Sequence, residues 1–343
     1  MCFTLGLLVA VLCVCSYFAL PIVEFKARSI PAFAKKLEGQ DLVDYVNNVQ
    51  SFFEANITTE PYGTFKSRLM DIKYLEVPRA YGGEINDEVT IPESFDAREQ
   101  WPQCDSIKLI RDQANCGSCW AVASASAMSD RLCVQSKGKI KTLISDTDIL
   151  SCCTYCGKGC QGGYAKKGWE FVVNSGASSG GPYGQKDVCK PYAFHPCGYR
   201  NGQPYYGECR PREKTPACKF TCQKGYKTSY QSDKIMAKSA YYVTNSVEAI
   251  QKEIMTNGPV QASFIVYSDF RIYKSGVYVH TAGKEEGGHA VRIIGWGTEN
   301  GVPYWLITNS WNTDWGENGL FRMLRGSNEC LIEQSVVAGI MDV

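Results

Sequence analysis

Gln113, Cys119, His289 and Asn309 are the residues of this 343-residue chain whose types and neighbours can do chemistry. Cys119 stands in the run Gln113-Ala114-Asn115-Cys116-Gly117-Ser118-Cys119-Trp120, which opens a stretch of small residues that predicts a helix. At a helix N-terminus the dipole and the unbonded N–H groups favour negative charge, and the thiolate is the reactive form of cysteine. His289 follows Gly287-Gly288, which permit close backbone approach. Asn300-Gly301 is a hairpin turn signal between two β-prone runs, Ala290 to Trp296 and Tyr304 to Thr308. A hairpin there brings His289 and Asn309 to the same end of the strand pair. An asparagine oxygen on one imidazole nitrogen fixes the tautomer and turns the other nitrogen toward the sulfur, as an activated nucleophile requires. Trp311 would shield that bond from water. Gln113 can bring its amide beside the Cys119 backbone N–H; one donor of such an oxyanion hole is typically worth about 3–4 kcal/mol.

The elements that must hold these groups come in two textures. Cys119 to Cys133 is rich in Ala and Ser on every face, the pattern of a buried helix. Cys152 to Cys222 is rich in Gly, Cys and Pro, too irregular for long helices and suited to disulfide support. Beyond it β signals dominate, including Val260 to Tyr267. This predicts an α+β protein in which a helical half faces a β half with the reactive groups between them.

Basic and acidic residues nearly cancel, 36 against 35, so no nucleic-acid or anionic-membrane partner is expected. Seventeen cysteines against three histidines imply an oxidising compartment and a disulfide framework. The short apolar run Leu5 to Val14 reads as a signal peptide over about residues 1–19, too short for a membrane anchor. No cysteine lies between Ser16 and Gln103, and fourteen follow from Cys104 to Cys330. Residues 20–90 therefore read as a separable pro-segment, with an ordinary small N-terminal domain as the alternative. Leu42, Val43, Tyr45, Val46 and Val49 give it an amphipathic helix, and Asn56 carries the chain's N-glycosylation sequon. Fourteen cysteines can all pair; if Cys119 is free, a second must be free too. Cys152, Cys153, Cys156 and Cys160 also have zinc-like spacing, but the oxidising context favours disulfides. No metal or other cofactor is expected.

At these residues the chain resembles the papain family, and within it the cathepsin B-like branch. The Cys-Gly-Ser-Cys-Trp signature carries the resemblance, with Ile91 to Arg98 similar to the start of a mature enzyme and Asn309 to Gly316 similar to a C-terminal signature. His289 lies 170 residues after Cys119, beyond the usual 130–150, which points to an insertion of the cathepsin B kind. The resemblance implies a papain-like two-lobed fold, a peptidase domain over 91–343 and a preceding inhibitory propeptide. It also implies a Cys119 thiolate–His289 imidazolium pair that hydrolyses peptides through an acyl-enzyme. Gly162 and Gly163 would bind substrate backbone, with Gly288 and Trp311 also lining the site. The disulfides implied are Cys104–Cys133, Cys116–Cys160, Cys152–Cys218, Cys153–Cys156, Cys189–Cys222 and Cys197–Cys209, leaving Cys119 and Cys330 free.

Two positions depart from that pattern. Residues 197–209 resemble the occluding loop, where adjacent histidines hold a substrate's C-terminal carboxylate; here Tyr199 and Arg200 stand in their place. Arg200 reads equally as a carboxylate ligand and as a solvated loop residue. Ser335 stands where cathepsin B has a glutamate that accepts arginine two residues before the scissile bond. Endopeptidase activity and apolar preference at that substrate position follow. Tyr304 to Glu317 also resembles a motif of haemoglobin-degrading enzymes of blood-feeding worms, with Thr308 in place of the usual Ala. The expected partners are protein and peptide substrates, haemoglobin among them, the chain's own propeptide and cystatin-type inhibitors. A monomer in the secretory pathway is expected, extracellular (a gut lumen included) or lysosomal. The competing readings are an inactive homologue acting as a binding module and a disulfide-rich structural protein in which Cys119 is paired.

Overall fold

The computed structural model describes residues 22–78, 80–82 and 89–343, so the signal-peptide reading lies outside the described residues. Among the described residues nine strands form one sheet system: β1 (Phe53–Ala55), β2 (Phe95–Asp96), β3 (Tyr241–Tyr242), β4 (Val260–Tyr267), β5 (Tyr273–Tyr278), β6 (Glu285–Glu299), β7 (Val302–Thr308), β8 (Leu320–Leu324) and β9 (Val336–Ala338). Their order is β1-β5-β8-β7-β6-β4-β9-β3, with β2 pairing β6; β5 and β8 run parallel and every other pair is antiparallel. Asn300 and Gly301 turn β6 into β7 with φ of 52° and 79°, the left-handed conformations a two-residue hairpin demands.

The helix Cys119–Gln135 is buried over nearly its whole length. Its small residues let neighbours approach from all sides. Ser124, Ser126 and Ser129 return their hydroxyls to the carbonyls four residues back, at 2.8, 2.8 and 2.6 Å, so the burial leaves no orphaned donor there. Two buried ion pairs tie this helix to other elements: Asp130 to Arg292 of β6 at 2.6 Å, and Arg131 to Glu253 at 2.9 Å. Thr308, the departure from the worm-enzyme motif, accepts from Arg292 Nε at 2.9 Å, so its hydroxyl helps hold the guanidinium that meets the helix.

Two large apolar clusters fill the halves. One gathers around Trp120, Met128, Ile149, Trp169 and Val172 on the helical side. The other gathers around Phe264, Phe270, Trp305, Trp311 and Phe321 on the β side. One expectation needs correction: the irregular region Cys152 to Cys222 contains an eleven-residue helix, Ala165–Ser175, with Trp169, Phe171 and Val172 buried. Gly168 within it gives the close approach, since a Cβ there would come within 3.1 Å of the Ser124 hydroxyl.

The N-terminal segment packs on the β half. Its helix Gly39–Val49 buries Leu42, Val43 and Val46, while Tyr45 and Val49 stay half-buried. Strand β1 adds to the sheet edge at β5, where Gly276 (φ 96°) lets Phe53 approach; a Cβ there would sit 2.5 Å from the Phe52 carbonyl. Asn56, just past β1, is exposed. After the helix Tyr62–Arg68 the chain crosses the groove between the halves.

Candidate active site

Cys119 is the first residue of its helix. Ser118 occupies the N-cap without capping: its hydroxyl faces Tyr192 Oη at 2.7 Å instead. The first helical N–H groups are thus left for the sulfur. Backbone N–H groups of Cys119, Trp120 and Ala290 point at the thiol and lower its pKa, and Ala290 is the neighbour of His289 on β6. Gly117 is required just before it, because a Cβ there would meet the Cys160 carbonyl at 2.6 Å.

His289 Nε2 lies 2.8 Å from Asn309 Oδ1. That oxygen also accepts from the Ser310 N–H at 2.7 Å, so the amide is pinned with its oxygen toward the ring. An acceptor facing Nε2 makes Nε2 the N–H of a neutral imidazole and leaves the lone pair on Nδ1. Nδ1 is buried without a hydrogen-bond partner. Trp311 lies across the ring with centroids 4.7 Å apart, and Phe264 meets it edge-on at 5.9 Å.

Gln113 is fixed at both ends of its side chain. Its Oε1 accepts from Ser310 Oγ at 2.7 Å, which turns Nε2 toward the Cys116 carbonyl (2.8 Å) and the Arg68 carbonyl (3.0 Å). Tyr192 Oη donates to the Gln113 carbonyl at 2.8 Å. Ser310 and Tyr192 escaped the sequence reading. Ser310 had one usable signal, its place between Asn309 and Trp311. Tyr192 had none, being distant in sequence from every residue it orients.

The N-terminal segment covers this group. Arg68 brings its carbonyl to Gln113, and Met70 exchanges both backbone hydrogen bonds with Gly288, each at 2.9 Å. A Cβ on Gly162 would strike Met70 Cβ at 2.7 Å and the Tyr74 ring at 2.6 Å, while Gly163 sits as closely on Trp120. Phe65 meets Trp311 edge-on at 5.8 Å. Under this cover burial pushes the Cys119 thiol up to about 12. Burial also pushes His289 down to about 4, with the Arg68 charge adding to the effect. Sulfur and imidazole are therefore both neutral in the covered state.

The remaining predicted residues lie farther out. Ser335 is buried directly before β9, whose Val336 faces Ala262 of β4. Tyr199 is 85% exposed and stacks on Tyr205 at 4.5 Å, on the loop closed by the Cys197–Cys209 disulfide. Arg200 is neither solvated nor free: its side chain is 15% exposed, with Nε 3.7 Å from Asp112 and Nη1 4.0 Å from Asp314. The other sulfurs bond as Cys104–Cys133, Cys116–Cys160, Cys152–Cys218, Cys153–Cys156 and Cys189–Cys222, with Cys119 and Cys330 free. The four cysteines of zinc-like spacing are thus all oxidised, which removes that alternative.

Comparison with known proteins shows the family. The family profile described as papain family cysteine protease matches residues 91–340. Cathepsin B-like cysteine proteinase 1 of Ostertagia ostertagi is 50% identical, over 96% of this chain and 97% of that protein. A gut-specific cysteine proteinase of Caenorhabditis elegans is 49% identical, over 88% of this chain and 91% of its own length. The solved structure of proCathepsin B S9 from Trypanosoma congolense superposes with a TM-score of 0.75 at 32% identity, covering 89% of this chain and 98% of that one.

Proposed function

The chain belongs to the papain family of cysteine proteases as a cathepsin B-like enzyme, and from that premise we propose that it is made as a zymogen, with residues 20–90 as propeptide and 91–343 as peptidase. The observation that carries this reading is the Arg68 carbonyl on Gln113 Nε2. A main-chain carbonyl there is the ground-state shape of a substrate's scissile group, held in a neutral and covered site.

Once the cover leaves, water returns to the groove and both desolvation shifts relax. The helix N-terminus and the Ala290 N–H then favour the Cys119 thiolate, and Nδ1 of His289 takes the proton. The sulfur attacks the scissile carbonyl, and the oxyanion is met by Gln113 Nε2 and the Cys119 N–H. His289 hands its proton to the leaving amine. Water, deprotonated by the same nitrogen, then hydrolyses the thioester. Asn309 holds the ring through both steps, and Trp311 keeps solvent from that bond.

The enzyme acts mainly as an endopeptidase. Arg200 faces Asp112 and Asp314 and tethers the loop rather than presenting a free cation, and Tyr199 offers no charge at all. A peptide prepared with free and with amidated C-terminus tests this: internal cuts in both forms are expected of the activated enzyme. Sequential dipeptides from the free acid alone, unaffected by Arg200→Ala, contradict it. Cleavage of neither form, by wild type as by Cys119→Ala, favours the inactive binding module.

Ser335 supplies no buried carboxylate to pair a guanidinium, so apolar residues are preferred two positions before the scissile bond. A Phe-Arg reporter peptide is expected to turn over faster than Arg-Arg; the reverse order overturns the assignment. The disulfide framework supports a secretory route, extracellular or lysosomal, for a monomer, with the sequon at Asn56 placing any N-glycan on the propeptide. No helix among the described residues is long and apolar enough to cross a membrane. Cystatin-type inhibitors are expected to bind only once the cover has left the groove. The gut-specific relative supports digestion in a gut lumen; haemoglobin as a substrate rests on the motif-like stretch Tyr304 to Glu317 alone, and unchanged haemoglobin breakdown in gut extract depleted of the enzyme would remove it.

A further inference from the structure

We propose that Glu286 is a specificity residue: a carboxylate on the leaving-group side of the groove that receives a lysine or arginine of the substrate just after the scissile bond. This rests on the reading of Cys119 and His289 given above. Glu286 lies three residues before His289 on β6, and its side chain is 2% exposed. From the body of the protein it receives one hydrogen bond, from Ser268 Oγ at 2.9 Å. Its other side-chain partners belong to the covering segment: Tyr62 Oη at 2.8 Å and Lys66 Nζ at 3.0 Å. The Lys66 ammonium also donates to the Glu286 carbonyl. A cationic side chain entering the groove is therefore already seen docked on this carboxylate.

The order of the segment along the groove gives the side. Met70 and Tyr74 lie against Gly162, the Arg68 carbonyl marks the oxyanion position, and Phe65 lies against Trp311, which covers His289. His289 gives its proton to the leaving amine, so the Trp311 flank is where the leaving peptide emerges. Lys66 and Glu286 are on that flank. When the segment departs, an enclosed carboxylate loses its cation, and leaving a buried charge unpaired is costly. Body cations stand nearby: Lys284 and Arg271 over the Tyr62 ring at 5.6 and 5.7 Å, and Arg212, which donates to the Lys66 carbonyl at 3.0 Å in the same cleft. Each is itself held by the segment now, Lys284 by Glu38 at 2.6 Å and Arg271 by the Glu60 carbonyl. A substrate cation competes with them for Glu286, as Lys66 does here with success.

The test uses enzyme activated from the full-length zymogen, with its concentration set by active-site titration. Quenched peptides differ only at the first or second residue after the scissile bond, which is lysine, Nε-acetyl-lysine or leucine. At one of these two positions wild type is expected to show kcat/KM about tenfold higher for lysine than for acetyl-lysine, equivalent to ~1.4 kcal/mol. Glu286→Gln brings that ratio close to one, and Glu286→Lys lowers it below one. Equal turnover of lysine and acetyl-lysine peptides by wild type, or a ratio unmoved by Glu286→Gln, overturns the proposal. The wild-type arm decides even where the variants fail to fold. No cleavage of any peptide would instead overturn the protease reading itself.

Discussion

Alanine at Cys119 or at His289 is expected to lower kcat on a peptide substrate by about a million-fold, with the double variant scarcely slower than either single one. The non-additivity follows from the chemistry, since a nucleophile without its base, or the base without its nucleophile, leaves the same residual rate from the oxyanion hole and binding. Cys330 cannot stand in for Cys119. Among the described residues it is the other free thiol, held beside Glu329 on the β half, and burial together with that carboxylate drives its pKa far up. The Cys119→Ala zymogen still folds because all six disulfides are formed without this sulfur. Thiol titration of denatured protein is expected to fall from two groups to one. A variant that exposes an orphaned partner cysteine would instead mean that Cys119 is structural, and residual activity within tenfold of wild type would remove it from the reaction.

Gln113→Ala is expected to lower kcat by about 10²–10³ with KM little changed, because the donor is most useful once charge has developed on the oxygen. The same substitution should weaken inhibition by the segment, whose Arg68 carbonyl loses its donor. About tenfold is appropriate for one buried hydrogen bond. The two readouts are separable: kcat on a short peptide reports the oxyanion hole, and the inhibition constant of a peptide copying residues 62–76 reports the cover. Thermal unfolding of the zymogen controls for the lost bonds to Ser310 and Cys116. A kcat within threefold of wild type would leave the oxyanion to the Cys119 N–H alone.

The parts of this site that were legible in the sequence are those set by local rules. Asn300-Gly301 announces its own turn, and once the turn is placed, His289 and Asn309 must share one end of a hairpin. The Ala/Ser run after Cys119 announces a helix with no solvent face. Fold class, by contrast, gained its specific form from the resemblance, as did the six cysteine pairs, which spacing alone leaves open. The helix Ala165–Ser175 was masked by the glycines and cysteines around it; its apolar face becomes visible only beside Trp120 and Ile149. What the sequence hid most fully was long-range. Nothing local says that the Arg68 carbonyl reaches Gln113, that Lys66 docks on Glu286, or that Arg200 faces two carboxylates. Those contacts join residues 45, 220 and 88 or more positions apart.

The covered state also sets how acid acts on the zymogen. His289 is held at about 4 while covered, against an ordinary 6.5, so the open form binds its proton more tightly. Stability that the cover draws from neutral His289 is present above pH 6.5 and is lost as pH falls through that value toward 4. Lys284 likewise holds Glu38 below its ordinary value, and that contribution fades as its carboxylate protonates at the acid end. Cys119 has the opposite sign: its raised pKa favours the covered form at low pH, and that contribution is lost as pH rises through the lower pKa of the thiol in the open form.

The most direct measurement is intact-mass analysis of zymogen and activated enzyme after exposure to a peptidyl, thiol-directed inhibitor at a series of pH values. The account predicts an unlabelled zymogen near neutrality, labelling that grows as pH falls from 6.5 toward 4, and one label per molecule of activated enzyme, on Cys119. Equally fast labelling of the zymogen at neutral pH would contradict the cover, and a label on Cys330, or none on activated enzyme, would contradict the assignment of the nucleophile.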